Sequence, residues 1–536
     1  MHLSQLSFVL TDAIQYGLGD PDIRVITADS RQVLPGALFV AVGGVNVDGH
    51  HYIGQALMQG AVAIVGERPP EELDAFREDV PYLQVENSRS ALAWLSAAWH
   101  DFPARKLTVI GVTGTDGKTT TSTLIAHILR SAGRKVGLVT TVQAEIGGQA
   151  LDTGLHVTTP DAPDTQRYLA QMVAAGCDVA VLESTSHGLH QRRVDACEFD
   201  IAIVTNITHE HLDYHGTWDN YAAAKAILFQ HLSASVDKPG ITKTAILNVE
   251  DASFPLLDAV LSQGRPDVRR LTYGLHNGAI QAAEVVHAPD RTAFTLDLGH
   301  SIYELGLTAD GLQSQMTTSL IGDFNIYNIL AAVCAALALG VPLAVVRAAI
   351  ASFTGVVGRM ERIDEGQPFL AIVDFAHSPV SLQRALETVR PLVAPDGRLI
   401  AVFGSAGLRD RGKRYLMGHI SGRLADLTII TAEDPRTESL ADISAEIARG
   451  CREAGGVEEV TFWRVDDRAE AMAFACRLAR PGDVVIACGK GHERSMCFGE
   501  VETPWSEQEA LRAALRARQA LSAGLDDPVA RSLKSA

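Results

Sequence analysis

Gly111-Val112-Thr113-Gly114-Thr115-Asp116-Gly117-Lys118-Thr119-Thr120 is the most informative stretch of the chain. The apolar run Leu107-Thr108-Val109-Ile110-Gly111-Val112 leads into it and reads as a strand. A helix follows, with Leu124, Ile125, Ile128 and Leu129 spaced along one apolar face. Phosphate binding needs this order. Glycines let backbone N–H groups approach the oxygens, the helix N-terminus adds positive potential, and a lysine neutralises charge. Thr119 would place its hydroxyl on Mg²⁺. The strict GxxxxGK[ST] pattern is not met, because Val112 stands where its first glycine belongs. A chance GKT without a role is the alternative, and the strand–loop–helix context speaks against it.

Outward from this loop, the whole chain bounds the answer. Its 536 residues suggest three or four domains at about 150 residues each. Hydrophobic residues at 47% supply real cores, and 21% charged residues of mixed sign exclude wholesale disorder. A formal charge of -18 argues against sequence-wide binding to nucleic acid or to an anionic membrane. The seven scattered cysteines, none in a CxxC pair, fit a reducing cytoplasm and argue against a cysteine zinc site. The start, Met1 to Leu6, has no cationic secretory n-region. Ile329 to Val346 carries no charge, but Gly340 and Pro342 divide it into a helix end and a helix start, so a core helix is expected and no membrane span.

The first hundred residues hold short strands and turns, including Ala37 to Val42 and the turn Asp48-Gly49. Pro103-Ala104-Arg105 marks a boundary. Beyond it Val136–Val139, Asp178–Leu182 and Ile201–Thr205 alternate with helical lengths, the pattern of a parallel sheet. Near 292–298 apolar and polar residues alternate, suggesting an antiparallel appendage. A second α/β series follows, with strands at Leu370–Val373, Leu399–Phe403, Leu427–Ile430 and Val484–Ala487. The tail from about 526 to 536 is polar and is expected to fray.

Glu183-Ser184-Thr185-Ser186-His187-Gly188, Thr205-Asn206-Ile207, His211-Leu212-Asp213-Tyr214-His215 and Tyr221 to Lys225 form a second set. Glu183 and Asn206 each close an apolar strand, where open α/β sheets place ligands. Carboxylate and imidazole near a phosphate loop suit a metal that bridges phosphate to an acceptor. Each residue alone is more often structural. Their order along the chain favours the functional reading.

Together these residues resemble the Mur ligases, ATP-dependent amide-bond-forming enzymes of peptidoglycan synthesis, and most nearly the branch that adds the third residue of the stem peptide. The resemblance covers nearly the whole chain. It rests on Asp29-Ser30-Arg31, Pro35-Gly36, Phe39-Val40-Ala41, Asp48-Gly49-His50, the GTDGKTT loop, Thr158-Thr159-Pro160 and the Glu183, Asn206, His211 and Lys225 segments. It continues through Gly322-Asp323-Phe324-Asn325 with Asn328, Gly358-Arg359-Met360-Glu361, Asp374-Phe375-Ala376-His377, Arg409-Asp410, Glu433-Asp434-Pro435-Arg436 and Gly489-Lys490-Gly491-His492-Glu493.

The resemblance implies a three-domain α/β architecture. Residues 1–104 would bind the UDP-substrate, 105–355 would form a central parallel-sheet ATPase domain of P-loop type, and 356–536 a Rossmann-like domain for the amino acid. Gly114, Thr115, Asp116, Gly117, Lys118, Thr119 and Thr120 would bind ATP phosphates, with Asn325, Asn328, Arg359 and Asp374 on the rest of the nucleotide. Ser30, Thr158, Thr159, Thr185, Gln191 and Arg193 match contacts to UDP-N-acetylmuramoyl-L-alanyl-D-glutamate. Thr119 would hold one Mg²⁺; Glu183, His211 and carbamylated Lys225 would hold another. Lys118, Lys225, His211 and Glu183 form the implied catalytic set. Arg409, Glu433, Asp434, Arg436, Gly489 and Glu493 would surround the free amino acid. A cytoplasmic monomer without nucleic-acid partners is expected.

Several positions depart from the family: Asp116 and Asp434 replace asparagines, Glu210 replaces an aspartate before His211, and Ser405 and Leu408 alter the stretch before Arg409. An ionised Asp434 would repel a carboxylate and attract an ammonium, which favours L-ornithine or L-lysine over meso-diaminopimelate. Arg436 pulls the other way. The alternatives are another amide ligase of the superfamily, of the folylpolyglutamate or cyanophycin synthetase type, and a non-catalytic nucleotide-binding regulator. Asp29-Ser30-Arg31 with Arg409 and Arg436 opposes the first. The intact Lys118, Thr119, Glu183, His211 and Lys225 oppose the second.

Overall fold

Three open sheets organise the protein, and each forms where the sequence shows short apolar strands separated by helical lengths. The computed structural model describes residues 1–44, 47–151, 158–208, 210–288, 291–299 and 312–526. The polar tail beyond them, expected to fray, lies outside the described residues. By internal contacts the chain divides into two units: Met1–Ala283 with Thr295–Met316 and Ile326–Ile350, and Glu284–Phe294 with Thr317–Asn325 and Ala351–Ala536.

The leading sheet contains β1 (Ile14–Tyr16), β2 (Val25–Thr27), β3 (Ala37–Val40), β4 (Ala61–Gly66) and β5 (Tyr82–Gln84), in the order β1-β5-β4-β3-β2. All pairs are parallel except β1 with β5. Asp48 caps a 3-10 turn at Gly49–Tyr52, so the expected Asp48-Gly49 turn is the start of a short helix.

The central sheet is built from β6 (Thr108–Thr113), β7 (Val136–Val139), β8 (Ala144–Ile146), β9 (Gln149–Leu151), β10 (Val179–Glu183), β11 (Ile201–Val204), β12 (Thr244–Asn248), β13 (Arg269–Gly274), β14 (Ile280–His287), β15 (Thr292–Asp297) and β16 (Gln313–Thr318). Its order is β16-β15-β14-β13-β12-β11-β6-β10-β7-β8-β9. The strands from β14 to β7 run parallel, and β8 and β9 add antiparallel pairs at one edge. The alternating segment near 292–298 is β15, near the other edge. The helix Lys118–Ser131 buries Leu124, Ile125, Ile128 and Leu129, the face its spacing predicts. Burying a side chain of this size stabilises by about 1.5–3 kcal/mol.

The second unit contains β17 (Glu361–Ile363), β18 (Leu370–Asp374), β19 (Leu399–Phe403), β20 (Leu427–Ile430), β21 (Phe462–Arg464) and β22 (Val484–Cys488), in the order β17-β18-β22-β19-β20-β21. Only β17 pairs antiparallel. A hairpin, β23 (Ser495–Phe498) and β24 (Val501–Pro504), follows. The uncharged segment from Ile329 to Val346 spans the end of helix Asp323–Ala338 and the start of helix Leu343–Ser352. No helix among the described residues is long and apolar enough to cross a membrane.

Candidate active site

Strand order converts three separated sequence segments into one site. β6 lies between β11 and β10, with Glu183 level with Val112 and Val204 level with Thr113. The loop after β6, the carboxylate ending β10 and the Thr205-Asn206 pair after β11 therefore meet at the C-terminal ends of three adjacent strands in the middle of the sheet. The loop is locked from that side. Thr115 N–H donates to the Asn206 carbonyl at 2.6 Å, Asp116 N–H to Asn206 Oδ1 at 3.1 Å, and Thr205 Oγ1 to the Asp116 carbonyl at 2.6 Å.

Two glycines stand where there is no room for a side chain. A Cβ at Gly114 would come within 1.9 Å of Thr205 Oγ1, and one at Gly117 within 2.1 Å of Asn328 Oδ1. Gly117 has φ +82° and caps the helix Lys118–Ser131, whose first N–H groups have no intrahelical acceptors. Asn328, expected at the nucleotide, lies beside the loop and accepts from Thr121 Oγ1 at 3.3 Å. Lys118 Nζ donates to the Thr115 carbonyl at 2.7 Å. Thr120 is buried at the first helical turn.

Glu183 is buried and joins the phosphate loop to the residues expected to hold the dipeptide. Thr119 Oγ1 donates to it at 3.0 Å, and Thr141 donates through its N–H at 3.0 Å and its hydroxyl at 3.1 Å. The Thr141 hydroxyl is also 3.0 Å from that of Thr158. Thr159 donates to the Glu183 carbonyl at 3.0 Å and meets the Thr185 hydroxyl at 3.0 Å. Arg193 donates to the Thr159 carbonyl at 2.8 Å and to Gln191 Oε1 at 2.8 Å. Thr185 also caps the helix Ser186–His190, so its position is fixed by the backbone. Ser30 lies elsewhere in this unit, buried in the turn after β2.

Lys225 is fully buried on helix Trp218–Ala234. Its Nζ donates to the Gly114 carbonyl at 2.6 Å and sits 4.5 Å from the Tyr221 ring centre. Burial, reinforced by the charge of Lys118, holds its pKa well below the ordinary lysine value. His211 has φ +54° and is half exposed, with its ring 4.8 Å from that of His187. Tyr214 was missed by the sequence reasoning. Its hydroxyl accepts from Gln191 Nε2 at 3.2 Å and lies 3.0 Å from His190 Nδ1, tying the Gln191 turn to the His211 segment.

The second unit carries the remaining residues. Asn325 Nδ2 donates to the Ile321 carbonyl at 2.8 Å. Asp374 accepts from the N–H groups of Met360 at 2.7 Å and Ala376 at 2.9 Å, and Arg359 stacks 4.7 Å from the Phe375 ring centre. Arg409 is exposed on the loop after β19. Gly407 N–H in that loop donates to the Asp434 carbonyl at 2.9 Å. Arg436 has φ +54°, and its N–H donates to the Cys497 carbonyl at 3.1 Å. Glu433 is buried under Gly489, where a Cβ would come within 2.1 Å of Glu433 Oε2. Burial pushes the Glu433 carboxyl up to about 7 against the opposing pull of Lys413, Arg468 and Lys490.

Asp434 corrects a premise drawn from the sequence. Its carboxylate is bound by the buried Lys490 ammonium at 2.9 and 3.0 Å and by Cys497 N–H at 2.9 Å. It is therefore not a bare charge aimed at a ligand, and the argument for a basic diamine from Asp434 alone falls. Its φ of +43° explains the residue type, since aspartate and asparagine enter the left-handed region more readily than other side chains.

The three regions match three family models: Mur ligase family, catalytic domain, at residues 22–100; Mur ligase middle domain at 112–336; and Mur ligase, glutamate ligase domain, at 358–491. A UDP-N-acetylmuramyl-tripeptide synthetase of Roseiflexus sp. (strain RS-1) is 44% identical over 507 residues, covering 92% of this chain and 95% of the relative. The chain belongs to the Mur ligase family. A UDP-N-acetylmuramoyl-L-alanyl-D-glutamate--2,6-diaminopimelate ligase of Geobacillus thermodenitrificans (strain NG80-2) is 39% identical over 502 residues, covering 94% and 96%. A solved structure of a ligase with that same activity name superposes with a TM-score of 0.66 at 30% identity, covering 93% of this chain and 95% of the other.

For a Mur ligase, the residues fit a Mg²⁺–nucleotide. Hard cations prefer oxygen, and Thr119 Oγ1 and the Glu183 carboxylate stand together beside the glycine cradle. Among the described residues no group of three His, Cys, Asp or Glu side chains converges as a metal site.

Proposed function

We propose that this chain is the ATP-dependent ligase that joins a diamino acid to the D-glutamate of UDP-N-acetylmuramoyl-L-alanyl-D-glutamate during assembly of the peptidoglycan precursor in the cytoplasm. The observation that carries the reading is the continuous hydrogen-bonded path from Thr119 through Glu183 and Thr141 to Thr158, with Thr159 on the Glu183 carbonyl and Thr185 on Thr159. A phosphoryl donor in the loop and a carboxylate on these threonines are thereby held within one short span, as in-line transfer requires.

In this mechanism residues 1–104 hold the UDP end with Ser30, 105–355 the ATP, and 356–536 the amino acid. Loop amides and Lys118 bind the phosphates, and Lys118 neutralises charge as phosphoryl transfers. The glutamate side-chain carboxylate attacks the γ-phosphorus, giving an acyl phosphate and ADP. Asn325, Asn328, Arg359 and Asp374 position the nucleotide. The free amine then attacks the acyl carbon, phosphate leaves with one former carboxylate oxygen, and a proton is lost from nitrogen. Thr119 would hold one Mg²⁺, and Glu183, His211 and carbamylated Lys225 a second; together the ions would supply charge neutralisation between phosphate and acceptor.

Lys225 is suited to carbamylation. Burial favours its neutral amine, the form that adds to carbon dioxide, and the N–C bond forms with loss of one proton. L-Lysine, L-ornithine and meso-diaminopimelate share a distal ammonium that an acid such as Glu493 suits, while Arg409 and Arg436 suit carboxylates. The test is phosphate release with ATP, the UDP-dipeptide and each of the three amino acids. Release should need all three components and vanish in a folded Lys118→Ala variant. Release without an amino acid, or undiminished in Lys118→Ala, contradicts the proposal.

A further inference from the structure

Three ionisable side chains in the second unit form a charge cluster that the reaction steps above do not use. Lys490 is 1% exposed, contacts both oxygens of Asp434 at 2.9 and 3.0 Å, and pairs with Glu493 Oε2 at 2.5 Å. Asp434 also accepts from Cys497 N–H at 2.9 Å, so its two oxygens are occupied within the protein. The Glu493 side chain is 35% exposed and therefore reaches solvent, whereas that of Asp434 is 18% exposed. A buried ammonium between two carboxylates leaves the trio with one net negative charge.

We propose that Lys490 is a positioning residue that determines amino-acid specificity: bridging Asp434 and Glu493, it cancels one of their two charges and leaves a single negative charge, presented through the more exposed Glu493, to the distal end of the incoming diamino acid. The inference rests on the ligase reading above. Removing Lys490 unmasks Asp434, which favours an ammonium terminus and disfavours a carboxylate. Removing the Asp434 charge has the opposite sign. Removing both restores the wild-type charge count. A lysine that merely stapled two loops would lower activity with every amino acid alike, and its loss would not be offset by a second substitution.

The experiment compares kcat/KM for L-lysine and meso-diaminopimelate, at saturating ATP and UDP-dipeptide, in wild type, Lys490→Met, Asp434→Asn and the double variant. The lysine-to-diaminopimelate ratio should rise about tenfold in Lys490→Met, fall about tenfold in Asp434→Asn, and return to within about threefold of wild type in the double variant. If Lys490→Met does not fold, Asp434→Asn carries the test alone. A ratio that stays within about twofold of wild type, or moves in the opposite direction, overturns the role of Lys490 and leaves the ligase reading standing. A wild-type protein that makes no tripeptide from either amino acid overturns the ligase reading, and this inference with it.

Discussion

Lys225 Nζ donates to the main-chain carbonyl of Gly114 at 2.6 Å, and burial with the charge of Lys118 outweighs the attraction of Glu210, Asp116 and Glu183 on it. A fully buried ammonium is costly, so the amine is driven towards its neutral form. Lys225→Ala should lose about two orders of magnitude or more in kcat, with part of it restored by added formate or acetate, which supply the missing anionic oxygens. Steady-state kinetics with and without these anions checks this. Full activity of the variant without additives contradicts the carbamate.

Gly117 faces Asn328 at a distance that leaves no room for a methyl group, and its φ is +82°. Gly133 has φ +81° with open space around its Cβ position. Gly133→Ala should therefore cost only the left-handed backbone strain, about 1–2 kcal/mol in thermal unfolding. Gly117→Ala should cost more than that and, on the proposed nucleotide-binding role of the loop amides, also raise the KM for ATP about tenfold or more. Equal effects of the two substitutions on KM for ATP would remove the loop from nucleotide binding.

Much of this site is legible in the sequence, because strand ends are. The apolar run before Gly114 is β6, and Glu183 ends β10 and Asn206 follows β11, as expected from where their apolar runs stop. Which of these ends are neighbours depends on β7 lying outside β10, a choice of strand order that local patterns do not encode. The Lys490–Asp434 pair was illegible for the same reason: it joins loops after β22 and β20, which are separated in the sheet by β19. Left-handed backbone at His211 and Arg436 could not be read either, since neither residue type announces it as glycine does.

Glu433 provides a pH test. Its pKa is raised from the ordinary glutamate value to about 7 by burial, so the folded protein binds the proton more tightly than the unfolded chain. Its contribution to stability is present below the unfolded pKa and is lost as pH rises through about 7. Glu433→Gln removes this dependence. The variant's melting temperature relative to wild type should increase between pH 5 and pH 8, by an amount equivalent to roughly 1–3 kcal/mol. A difference that is constant with pH would show that Glu433 is ionised throughout.

The most direct test of the central claim follows one oxygen atom. The UDP-dipeptide is prepared with ¹⁸O in the D-glutamate side-chain carboxylate, turned over with ATP and a diamino acid, and the released phosphate is analysed by mass spectrometry. An acyl phosphate transfers one carboxylate oxygen to phosphate, so each phosphate formed should carry a single ¹⁸O, in step with the tripeptide. Unlabelled phosphate alongside tripeptide would contradict the acyl-phosphate route. Phosphate released without tripeptide would contradict the ligase itself.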